Sequence, residues 1–93
     1  MKLKEQLDDI FYDIRTEQNR TEQFINDKIV LIKNIIKGNT LTLKQQKIYH
    51  EWCIDYSVHF KESYITSLGG SGFENNFENP ILQIAFEIDN SII

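Results

Sequence analysis

Asp55, His59 and Glu62 lie at i, i+4 and i+7, so on a helix two carboxylates and an imidazole point the same way, as a cation site would need. The order argues against one. Ferritin-like carboxylate sites take Glu-x-x-His from each of two helices, whereas this chain offers a single His-x-x-Glu, and His50 lies far around the wheel. A solvated Asp–His pair is the simpler reading, and neither metal nor cofactor is expected. Cys53 as a nucleophile would need His50 or His59 as a base across a formed pocket, with no local signature to support it. It reads instead as a small hydrophobe at the edge of a packed face. Gly69-Gly70-Ser71-Gly72 resembles a phosphate cradle only until its flanks are read: no P-loop Lys follows, and Lys61 is the last basic residue. No catalytic residue is assigned, and the chain is expected not to be an enzyme.

The elements around these residues are better defined than the chemistry. Tyr49, Trp52, Tyr56, Phe60 and Tyr64 recur at spacings of three and four, a helical rhythm that lines five rings along one face. Three phenol hydroxyls and an indole N–H on that face require partners if it is buried. Thr42-Leu43-Lys44-Gln45 has the form of a capping box, and helical periodicity then runs to Leu68 before the glycines. Upstream, Leu3, Leu7, Ile10, Phe11 and Ile14 form one helical stripe, and Phe24, Ile25, Ile29, Leu31, Ile32, Ile35 and Ile36 form another.

Between those stripes lies a polar tandem repeat, Arg15-Thr16-Glu17-Gln18-Asn19 and Arg20-Thr21-Glu22-Gln23. The mean directions of the two stripes differ by only about 20° when each residue advances ~100°. That phase match predicts one helix over about 2–37, stopped by a left-handed Gly38. The competing reading is a restart at Asn19, where Asn19-x-x-Glu22 resembles a capping box. The short linker from Gly38 to Leu41 returns the chain antiparallel, so the expected fold is all-α: a long helical hairpin, about 2–37 and 42–68. If Ile36 faces Leu43, the polar repeat lies opposite Tyr56, Phe60 and Tyr64, where Gln18 and Thr21 could satisfy phenol hydroxyls. Leu3, Leu7 and Ile10 then project beyond the second helix and need cover from the C-terminal segment. There, Asn79 as N-cap and Pro80 as first helical residue open a third helix over about 80–89, with a strand as the alternative. Residues 69–79 read as a flexible Gly/Asn-rich connector within a single domain, 1–93.

The net charge of −4 is divided unevenly: residues 48–93 carry seven acids against one base, Lys61. That half is unsuited to phosphate backbones and suits a basic protein better. No apolar run approaches the ~20 residues of a membrane span, and Met1-Lys2-Leu3-Lys4 lacks a signal-peptide core, so the expected setting is cytoplasmic. Abundant Ile, Asn and Lys with scarce Arg is a bias shared by many bacterial and phage proteins.

Ile54, Val58 and Ile65 form a second apolar line roughly opposite the rings, beside an acidic ridge. The expected partner-binding residues are Glu51, Ile54, Asp55, Val58 and Glu62 on this helix, with Phe73, Glu74, Phe77 and Glu78 from the connector. The function expected is that of a small acidic inhibitor blocking a basic, nucleic-acid-binding protein without contacting nucleic acid itself. Immunity proteins, antitoxins and phage counter-defence proteins of similar size and charge provide the analogy. The alternative is a homo-oligomeric helical scaffold or a small-ligand sponge.

Overall fold

The computed structural model describes residues 2–19, 21–61 and 74–91, and all the regular structure among them is helical. Among the described residues four α-helices form a bundle: α1 (Leu3–Thr16), α2 (Glu22–Lys37), α3 (Leu43–Asp55) and α4 (Asn79–Asp89). The all-α expectation holds, as does the helical reading of the C-terminal segment. The single helix over 2–37 does not. α1 ends at Thr16, and α2 starts afresh from Thr21, whose hydroxyl accepts from the Phe24 N–H, rather than from Asn19. From Arg15 to Gln23 every side chain is polar, so a continuous helix would have had nothing to bury for two turns. Matching phase did not require continuity, because both stripes face the same core from opposite directions.

Neighbouring helices run antiparallel. Asp13 and Lys28 pair near the α1–α2 turn, while at the other end Leu3 and Gln6 line a groove with Asn34, Ile35 and Gly38. Tyr56 meets Asn26 and Lys61 meets Glu22, placing α3 within about a turn of the register expected against α2. The phenol partner differs from the expected pair: Asn26 accepts from Tyr56, Gln18 is exposed, and Thr21 caps α2. α4 packs most extensively on α1 and then on α3. It covers the apolar surface of Leu7 and Ile10, as the C-terminal segment was expected to do.

Caps locate the ends. Thr42 and Gln45 make the expected capping box at 3.1 and 2.9 Å. Lys2 offers α1 no side-chain cap; the Asp89 carboxylate accepts from the Leu3 and Lys4 N–H groups at 2.9 and 3.0 Å. Gly38 ends α2 at φ −72°, ψ −3°, not in the left-handed region, and the Asn39 amide takes the Ile35 carbonyl. α3 continues as a π-helical turn, Tyr56–Phe60, closed by the Lys61 N–H on the Tyr56 carbonyl. Four-residue spacings gain about 40° per step on an α-helix, and a wider turn removes part of that drift. A second π-helical turn, Glu74–Glu78, stands where composition suggested flexible connector. It runs directly into α4, so Asn79 is the first helical residue rather than the cap, with Pro80 in the first turn.

The core centres on Phe77. Its ring stacks on Trp52 at 4.9 Å and 18°, meets Phe11 edge-on at 6.2 Å and 80°, and lies 5.9 Å from Tyr56. Such contacts add about 0.5–1.5 kcal/mol per pair beyond area burial. The Trp52 indole donates to the Phe77 carbonyl at 3.0 Å, so the ring cluster leaves no indole N–H unpaired.

Candidate functional site

The expected partner-binding residues divide. Glu51, Ile54 and Val58 are exposed on the outer face of α3 and its π-helical extension, the two aliphatics at 49% and 65%. Asp55 is half-buried beside them, lining a pocket of about 120 Å³ with Ile48, Glu51, Trp52, Asn76 and Pro80. Phe77 and Glu78 require correction: both are buried and neither is a surface anchor. A loop would have left them free, but the π-helical turn aims Phe77 at Trp52 and Glu78 at Arg15. Glu62, Tyr64, Ile65, Phe73 and the 69–73 part of the connector lie outside the described residues, as do the side chains of His59, Phe60 and Glu74. Of Asp55, His59 and Glu62, only the Asp55 side chain is among the described residues.

Folding also reassigns the acidic half of the sequence. Glu78, 1% exposed, pairs with the Arg15 guanidinium. Glu87 accepts from the Gln45 amide at 2.9 Å, and hydrogen bonds from Gln45 and then Gln83 hold its carboxyl below the usual range. Asp89 is likewise lowered, first by the Lys4 N–H and also by that of Leu3. Three of the seven carboxylates thus make contacts between elements of the bundle: Glu78 with Arg15 of α1, Glu87 with Gln45 of α3, and Asp89 with the start of α1.

The inner and outer sides of α3 carry different chemistry. Inside, Tyr49 and Trp52 stack at 6.2 Å and 21°, and burial followed by a hydrogen bond with Cys53 raises the Tyr49 phenol. Burial and then the charge of Glu22 raise Tyr56 to about 12. Cys53 is half-buried at this edge, in line with the packing role expected of it. Outside, Leu43 is 84% exposed and starts an apolar line continued by Ile54 and Val58. The expected register set Leu43 against Ile36, but Leu43 faces outward while Ile36 is buried; Leu43 stands eleven residues, about three turns, before Ile54, and Ile54 four before Val58, so the three share one side.

Two further exposed rings, Tyr12 on α1 and Phe86 on α4, belong to neither face. Among the described residues no helix is long and apolar enough to cross a membrane. Comparison of the chain with protein-family models, curated proteins and solved structures finds no match.

Proposed function

We propose that this chain is a non-catalytic protein-binding module whose contact face is the outer side of α3, and that its partner is a basic protein which it blocks. One observation carries the reading: Ile54 and Val58 stand 49% and 65% exposed beside Glu51, on a helix whose opposite side is buried in the core. An apolar centre with a charged rim is the usual anatomy of a protein interface. Glu51 and Asp55 supply the charge that draws a basic partner, while their neighbours exclude water. The setting is the cytoplasm, and the inhibitory role follows the analogy with small acidic immunity and antitoxin proteins.

The test uses three baits in host lysate: the wild-type chain, Ile54→Ala/Val58→Ala, and Glu51→Lys/Asp55→Lys, with captured proteins identified by mass spectrometry. A basic nucleic-acid-binding protein held by wild type and lost from both variants supports the proposal. Capture that is equal on all three baits, or no basic protein on the wild type, overturns it.

A further inference from the structure

We propose that the outer face of α3 also pairs with the same face of a second copy of this chain, the two helices running antiparallel with the two-fold axis level with Tyr49 and His50. The proposal rests on reading this face as an interaction surface and adds an occupant that any other partner must displace.

The charges along α3 are polarised. Lys44 and Lys47 lie toward its N-terminal end, Glu51 and Asp55 toward its C-terminal end. Lys47 and Glu51 are neighbours at i, i+4, yet neither they nor Asp55 form a salt bridge among the described residues; Lys44 contributes charge to Glu87. A two-fold axis across antiparallel helices brings the same flank of each copy together and mirrors positions about the axis. Lys44 then comes level with the second copy's Asp55, and Lys47 falls beside its Glu51. Leu43 enters at the level between the second copy's Ile54 and Val58, giving the most exposed apolar side chain of the helix a seat. One register satisfies both charge pairs and the apolar contact, and symmetry doubles each of them. A parallel two-fold pair would instead bring the lysine end of each copy level with the other's lysine end, and the carboxylate ends likewise, with no opposite charges at the same height, so the charge pattern selects the antiparallel pair.

Charge exchange tests this directly. The full-length wild type, Lys44→Glu/Lys47→Glu and Glu51→Lys/Asp55→Lys are compared by sedimentation equilibrium and by light scattering after size exclusion, with circular dichroism confirming the fold of each. The expected result is a wild-type dimer, self-association weakened about tenfold or more in each exchanged chain, and a dimer restored when the two exchanged chains are mixed. Leu43→Asp provides a second route to the monomer should either exchanged chain not fold. A wild type that stays monomeric at high concentration overturns the proposal, as does a dimer indifferent to all three variants. Either failure leaves the partner proposal standing or falling on its own bait comparison.

Discussion

On its inner side α3 presents Tyr49, Trp52 and Tyr56, with the indole on the Phe77 carbonyl and the Tyr56 hydroxyl on Asn26. On its outer side the same thirteen residues and the π-helical turn after them present Leu43, Ile54 and Val58 between lysines and carboxylates. The difference lies in whether demands are met within the chain. Inside, large rings are buried and their polar handles have partners; outside, aliphatic surface and charge remain available. Aromatic content alone would have pointed to the inner face as the binding surface, because rings are favoured as interface anchors. What marks the outer face is that Leu43, Ile54 and Val58 stand exposed there beside Glu51.

Removing the ring around which the inner face is organised should have the largest effect. Phe77→Ala should lower the unfolding free energy by about 3–5 kcal/mol, read by urea denaturation, because Trp52, Phe11 and Tyr56 all lose a packed neighbour. A loss below ~1 kcal/mol would mean the ring is not buried as described. Arg15→Ala should cost about 2–3 kcal/mol, since it leaves Glu78 buried beside the space of its guanidinium partner. The figure falls below the full cost of breaking a buried pair because the Arg15 side chain is 34% exposed.

A subtler change sharpens the inner face further. Tyr56→Phe should cost about 0.5–1.5 kcal/mol through the lost bond to Asn26. Because the fold raises this phenol from 10.0 to about 12, the unfolded chain ionises first as pH rises. The stabilisation is complete below pH 10 and is lost as pH climbs through that window. Stability measured across it should fall less steeply in Tyr56→Phe than in wild type; identical slopes would remove the burial of this hydroxyl from the account.

Periodicity made much of the bundle legible. The capping box at Thr42, the stripes of α1 and α2 and, to within about a turn, the α2–α3 register followed from spacing and from the shortness of one linker; over 80–89 the spacing fits helix and strand alike, and the helix followed from the lack of a mate for a lone strand. The end of α1 at Thr16 and the fresh start of α2 show in the sequence as nine consecutive polar residues, Arg15 to Gln23, which agreement in phase masks. Two helices facing one core can agree in phase without being continuous, and the absence of anything to bury was the stronger signal. Phe77 and Glu78 were misplaced for a different reason. Glycine, asparagine and acidic residues have the composition of a connector, and a π-helical turn has no periodic signature that five residues can display. The roles of Glu87 and Asp89 depended on which helix ends they reach, 42 and 86 residues away along the chain. The face formed by Glu51, Ile54 and Val58 was legible because it depends only on the wheel of one well-marked helix.

Of all measurements, the Ile54→Ala/Val58→Ala double variant tests the division of α3 most directly, with urea unfolding and association read on the same preparation. The unfolding free energy should stay within about 1 kcal/mol of wild type, because both side chains are solvent-facing, while partner capture and the dimer are lost. A destabilisation of about 3 kcal/mol or more, as buried aliphatics give when truncated, or association undiminished from wild type, would contradict that division.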